Sequence, residues 1–261
     1  MKCREIAAII EELAPRSLAY DWDNVGLLFG DAEQEVTRVL LTLDMDVGVA
    51  EEAARLGVQM VIGHHPILFD PISRVTAQTP EGRLLQMLAR NSISYYAAHT
   101  NLDVAKGGLN DLLAKKLRLK NVEQLEAIDV EGEGIGRIGD LDSPISLLAL
   151  AERVKKAFGV ANLRYTGEED GLVSRVAVNS GGGASLIDAA LRHDADVLIT
   201  GDYKYAQFRY CLEHGMKTID VGHYDSEIFV CELLQEYLLP RIGGSVEILR
   251  TEANTNVVKF L

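Results

Sequence analysis

The chain has 261 residues, 48% of them hydrophobic and 25% charged, and a formal net charge of −13. That length supports a large core at the size where single domains begin to divide into two, and the composition is that of a soluble globular protein. The acidic balance argues against a nucleic-acid partner, because gripping a polyanion depends on Lys and Arg neutralising phosphates. Cys3, Cys211 and Cys231 form no C-x-x-C pair, and no apolar run approaches the roughly 18 residues of a membrane span. We therefore expect a cytoplasmic protein with reduced thiols and no membrane partner.

Apolar spacing predicts a helix over residues 4–13, closed by Pro15. Residues 20–30, which carry the only tryptophan, Trp22, read as a loop. A buried strand over 36–43 ends at Asp44, Asp46 caps a helix running to Leu56, and a strand over 59–62 enters Gly63-His64-His65-Pro66. A helix over 81–90 precedes a strand over 93–98 that ends at His99, and a helix over 108–117 follows. From 121 to 171 the chain turns acidic and glycine-rich, which reads as a crossing between lobes. Beyond it come a helix at 146–158 and a short strand at 162–165. Strands at 173–179, 196–200, 217–221 and 245–250 then alternate with helices at 185–193, 205–214 and 226–239. The alternation predicts α/β layers in two lobes, residues 1–125 with 220–261 and residues 126–219.

Four of the six histidines, His64, His65, His99 and His223, stand at predicted strand ends, where ligands bind in open α/β sheets. Adjacent residues of a strand point to opposite faces, whereas an irregular turn before Pro66 lets both rings of His64 and His65 enter one cleft. His99 and Asp103 are four residues apart, as are His223 and Glu227, so one turn of chain brings imidazole and carboxylate to one centre. Six donors exceed the needs of one catalytic zinc and suit two divalent ions roughly 3.5–4 Å apart. Mixed nitrogen and oxygen donors without thiolate fit Zn, Fe, Mn, Co or Ni. Any one of these histidines alone is more simply a structural residue, and either acid alone a helix cap; their joint placement favours metal.

Asp44, Asn101 and Asp202 also follow strands and are candidates to orient a ligand or contact substrate, with turn or capping roles as the alternative. The glycines of residues 179–185 either cradle a phosphate at a helix N-terminus or make a tight βα turn. Trp22 and Asn24 either line a pocket or are a buried tryptophan and a turn asparagine.

Taken together the motifs resemble the dinuclear-metal-centre hexamer family, labelled GTP cyclohydrolase 1 type 2 homologs and NGG-interacting-factor-like proteins. The likeness is carried by Trp22-Asp23-Asn24-Val25-Gly26-Leu27, Gly63-His64-His65-Pro66, His99-Thr100-Asn101-Leu102-Asp103, Gly107-Gly108-Leu109-Asn110-Asp111, Gly136-Arg137-Ile138-Gly139 and Gly222-His223-Tyr224-Asp225-Ser226-Glu227, spread over nearly the whole chain. The resemblance implies two interlinked α/β lobes with mixed sheets and the metal site between them. It gives the same six ligands, His64, His65, His99, Asp103, His223 and Glu227, for two divalent ions per subunit. It also implies a toroidal homohexamer, in the compact form that lacks a large inserted domain. The activity implied is that of a metal-dependent hydrolase in which activated water opens a purine nucleotide ring. A dinuclear phosphoesterase and a non-enzymatic metal-delivery scaffold are the competing readings. Gly181-Gly182-Gly183-Ala184 departs from the G-G-S-G-like pattern of the family, which counts against a phosphate role there.

Overall fold

The computed structural model describes residues 1–242 and 244–261. The chain divides into two compact units, Met1–Leu102 with Val230–Val257, and Asp103–Phe229 with Val258–Leu261. Among the described residues no helix is long and apolar enough to cross a membrane.

The first unit opens with α1 (Cys3–Leu13), then β1 (Gly26–Phe29), β2 (Arg38–Thr42), α2 (Val47–Leu56), β3 (Met60–Gly63), α3 (Pro80–Arg90) and β4 (Ser94–Ala97). The single turn α4 (Thr100–Val104) follows, and after the excursion through the second unit the chain returns as α10 (Val230–Ile242) and β11 (Glu247–Arg250). The sheet order is β1-β4-β3-β2-β11, parallel except for β1, which runs antiparallel to β4. β3 and β4 are buried along their whole length, as expected of central parallel strands covered on both faces. Asp46 accepts from the Val49 amide at 2.8 Å to start α2, and Gly57, with φ of +65°, ends it in the left-handed region where a Cβ is costly. Leu40, Val61, Tyr95 and Leu88 lie at the centre of this unit's core.

The second unit contains α5 (Leu109–Lys116), β5 (Lys120–Ala127), β6 (Gly134–Ser146), α6 (Leu147–Phe158), β7 (Arg164–Thr166), β8 (Leu172–Gly182), α7 (Ile187–Arg192), β9 (Val197–Gly201), α8 (Tyr205–Glu213), β10 (Lys217–Asp220) and α9 (His223–Glu227). Its sheet order is β5-β6-β8-β9-β10-β7, with β8, β9 and β10 parallel and the remaining pairs antiparallel. α5 and α6 pack Leu113, Leu150 and Val154 into one core with Val176, Ile199 and Ile219 of the strands.

Three features differ from the sequence expectations. Residues 121–146 are not a crossing but the antiparallel pair β5 and β6; β5 is an edge strand with polar residues outward, so its hydrophobic signal is faint. The segment 20–30 contains β1, and the expected helix over 226–239 is two helices, α9 and α10. Residues 103–125 and 220–229 lie in the second unit, where β5 pairs with β6 and Asp220 pairs with Thr200.

Arg137 ties the second unit together. Its guanidinium is almost fully buried and donates to Asp111 and to the carbonyls of Val104, Ala105, Gly134 and Gly136. Asp111 in turn accepts from the Gly107 amide at 2.5 Å, which accounts for the two motifs around residues 107–111 and 136–139. Arg137→Met keeps the aliphatic stem and removes every donor, so we expect it to cost about 3 kcal/mol and lower the urea midpoint. A midpoint equal to that of the parent would refute this role.

Candidate metal centre

In the first unit, the turn after β3 sets two imidazoles on one side of the backbone. The amides of His64 and His65 both donate to the Leu43 carbonyl, at 3.2 and 3.1 Å, so the chain bends instead of continuing as a strand. The ring centroids then lie 5.2 Å apart. His99 enters from the end of β4, where the Ala98 amide donates to the Gly63 carbonyl, and its ring lies 5.1 Å from His64 and 5.5 Å from His65. One donor atom from each of the three lies within 4.8 Å of the other two. The Tyr95 hydroxyl donates to the His65 carbonyl at 2.6 Å, and burial, with the Asp44 charge beside it, keeps that phenol protonated. This strut requires Gly63, since a Cβ there would lie 1.9 Å from the hydroxyl.

Each imidazole is pinned through Nδ1. That of His64 meets the Ala98 carbonyl at 2.7 Å, that of His65 the Asp44 carboxylate at 2.6 Å and that of His99 the Asp23 carboxylate at 2.9 Å. These oxygens only accept, so Nδ1 carries the proton and the Nε2 lone pair is the metal-binding atom of the neutral ring. Burial opposes ionisation of Asp23, but hydrogen bonds from His99 and Thr100 outweigh it and hold its pKa at about 2. A cavity of about 450 Å³ opens beside His65, lined in part by Asp44, Asp46, Pro66, Ile67 and Glu81.

In the second unit, α9 presents His223 and Glu227 one turn apart, with His223 Nε2 3.0 Å from the Glu227 carboxylate. Asp202, after β9, takes His223 Nδ1 at 2.8 Å. The hydrogen bond to Glu227 chiefly raises His223 to about 9, against the opposing effect of burial and with help from Asp202. Asp103 is buried and accepts from Ser180 Oγ at 2.9 Å, while Asn110 donates to the Asp103 carbonyl and accepts from the Ser180 amide.

The six expected ligands thus divide evenly between the units: His64, His65 and His99 in the first, and Asp103, His223 and Glu227 in the second. Their chemistry fits borderline divalent metals: imidazole nitrogen and carboxylate oxygen without sulfur. The cysteines offer no thiolate, since burial pushes Cys211 up to about 11 and Cys231 up to about 12. Of the candidates expected nearby, Asp44 and Asp202 orient His65 and His223. Asn101 is fully buried, accepts from the His99 amide and donates to the Ala14 carbonyl, so it braces the turn from inside. Lys204, not Asp202, stands at the start of α8. Trp22 is exposed rather than buried, and Asn24 donates to the Leu68 carbonyl at 2.5 Å. The two histidines without an expected site end helices: His193 follows α7, and His214 follows α8 with Nδ1 on the Tyr210 carbonyl.

Sequence reasoning missed two residues. Asp23 was visible only as part of a motif, its partner His99 lying 76 residues away. Gly181, in the glycine run, is not at a phosphate cradle: a Cβ there would lie 2.1 Å from Glu227 Oε1, and its φ of +58° is itself unfavourable for other residues. Its amide donates to Ser226 Oγ at 2.8 Å, which fixes the strand end against α9. We expect Gly181→Ala to displace Glu227 and lower bound metal at least about tenfold, as loss of a ligand-supporting contact does. Gly182→Ala, whose Cβ has nothing nearer than 3.9 Å, is the control. Equal metal content in the two purified variants, measured by elemental mass spectrometry, would refute this account.

A family model described as Duf34/NIF3 (NGG1p interacting factor 3) matches residues 1–257. A Clostridium perfringens protein named GTP cyclohydrolase 1 type 2 homolog is 36% identical, the match covering all of both chains. Among solved structures, a Bacillus cereus protein related to NIF3 superposes with a TM-score of 0.93 at 25% identity, covering 100% of this chain and 99% of that one. Reduced HcgD from Methanocaldococcus jannaschii superposes with a TM-score of 0.83 at 33% identity, covering 97% and 98%.

Proposed function

The chain belongs to the Duf34/NIF3 family, and from that premise we propose that it is a dinuclear metal-dependent hydrolase acting on a small heterocyclic substrate. The observation that carries this reading is the set of three imidazoles, each with Nδ1 committed to an oxygen acceptor and each offering one donor atom within 4.8 Å of the other two. Metal-ligating histidines characteristically donate the other ring N–H to a carboxylate or backbone carbonyl, as these three do. His64, His65, His99, Asp103, His223 and Glu227 would hold two divalent ions, drawn from Zn, Fe, Mn, Co and Ni. Such a pair, when bound, supplies Lewis-acid activation of water and polarises the atom under attack.

The chain's own groups do the positioning. Asp44 and Asp23 hold the rings of His65 and His99, Asp202 holds His223, and the Tyr95 hydroxyl keeps the His65 backbone in place. The cavity beside His65 has the volume of a small-molecule pocket. The relatives named GTP cyclohydrolase 1 type 2 homolog suggest a purine nucleotide, in which one water opens a ring carbon–nitrogen bond to a formamide and a second hydrolyses that formamide to formate and an amine. A homohexamer in the cytoplasm is part of the same proposal, checked by light scattering on the purified protein.

Two experiments test it. His65→Ala and Glu227→Ala should each lower metal content at least about tenfold while the far-UV spectrum stays that of the parent; unchanged metal in both would falsify the ligand assignment. Metal-loaded protein incubated with GTP should release formate. Phosphate release instead points to a phosphoesterase. No turnover, together with transfer of metal to an acceptor protein, points to a delivery scaffold.

A further inference from the structure

We propose that Trp22, backed by Tyr20 and flanked by Phe69, is a stacking wall for a planar, uncharged heteroaromatic ring beside His99. The proposal rests on the metal-hydrolase reading for the identity of the neighbouring centre, and it names the part of the substrate that this face recognises.

Trp22 is 58% exposed and Phe69 49% exposed, although both flank an imidazole cluster in which His64 is fully buried. Their orientation is set. Tyr20 stacks on Trp22 with centroids 5.6 Å apart and planes within 11°. Phe69 lies 5.8 Å from Trp22 at 31°. Both rings meet His99 edge to face at almost the same inclination, Trp22 at 6.3 Å and 75° and Phe69 at 6.2 Å and 74°. The wall is also anchored at its base. The Tyr20 amide donates to Thr100 Oγ1, Asp23 is held by Thr100 and His99, and Asn24 joins the Trp22 loop to the Phe69 loop through the Leu68 carbonyl. An indole braced in this way is pre-organised, so a ligand loses little of its binding energy to ordering the wall.

Stacking on an indole selects a flat π-system in offset geometry. The cavity beside His65 is lined by Asp44, Asp46 and Glu81, with no Lys or Arg among its described lining residues, so its side chains offer no counter-charge to an anionic tail, and the wall recognises the ring. Area separates a small ligand from a protein partner. Two half-exposed aromatic side chains present about 200 Å², the footprint of one fused bicycle, against about 800 Å² per side in a stable protein interface. The loop carrying Phe69 also exposes Ile72 and Val75, so contact between copies of the chain is the competing outcome to be tested.

Trp22 is the only tryptophan, and its emission therefore reports on this wall alone. Metal-loaded protein is titrated with guanosine, GTP and ribose 5-phosphate. Guanosine should quench the emission and bind within about tenfold of GTP, and ribose 5-phosphate should leave it unchanged. Trp22→Ala should weaken guanosine binding about ten- to hundredfold by calorimetry, the range for loss of one base–aromatic stack, with bound metal at the parental level. Phe69→Ala should weaken it less. Absence of quenching by guanosine in protein with full metal overturns the wall and leaves the metal centre standing. Binding of GTP without guanosine also overturns it, as does loss of metal in Trp22→Ala. So does a smaller assembly in Trp22→Ala with guanosine affinity unchanged, which would assign the patch to contacts between copies. Absence of bound metal in the parent protein, by contrast, counts against the hydrolase reading itself.

Discussion

Four Nδ1 atoms end on oxygen acceptors, and the organisation of the site follows from that. A histidine side chain rotates about two bonds and exists in two neutral tautomers, so an unsupported cluster would sample many donor arrangements. Here Ala98, Asp44, Asp23 and Asp202 each remove that freedom from one ring. The acceptors reach their rings because parallel strands end side by side, and residues just beyond neighbouring strands converge. In the first unit β2 leads to Leu43 and Asp44, β3 to His64 and His65, and β4 to Ala98 and His99. In the second, β8 carries Ser180 and Gly181 near its C-terminal end, β9 leads to Asp202 and β10 to His223.

Crowding ionisable groups in this way requires strong local interactions. Asp23 stays ionised despite its burial because the His99 ring and the hydroxyl and amide of Thr100 donate to it, and His223 is drawn toward the imidazolium form by the acids on either side. Close approach is achieved by leaving out side chains. Gly63 makes room for the Tyr95 hydroxyl and Gly181 for the Glu227 carboxylate, so two glycines outside the donor set are as necessary as the donors. Arg137 serves a different end: it gathers the carbonyls around α4 and β6 and so holds the backbone that carries Asp103.

Exposure is uneven in a way that suits a working site. His64 is sealed in, whereas the side chains of His65 and His223 remain 26% and 39% accessible. In the first unit the imidazoles thus have a rigid floor, an open edge toward an acidic cavity, and an exposed aromatic pair beside them.

What the sequence determined by itself was the α/β alternation and the capping by Asp46; histidines and acids at strand ends also carry a local signal, which singled out six candidate donors. It also showed the family motifs. It did not disclose β5 and β6, whose polar edge and glycine-rich turn look like a linker when their pairing partners are unseen. Asp23, Gly181 and Arg137 were legible only as letters in motifs. Their roles depend on contacts with His99, Glu227 and the carbonyls around α4, which lie far from them in the chain. Local propensity is written in neighbouring residues; a tautomer, a close approach and the burial of a guanidinium are decided only when distant segments pack, and those belonged to the tertiary structure.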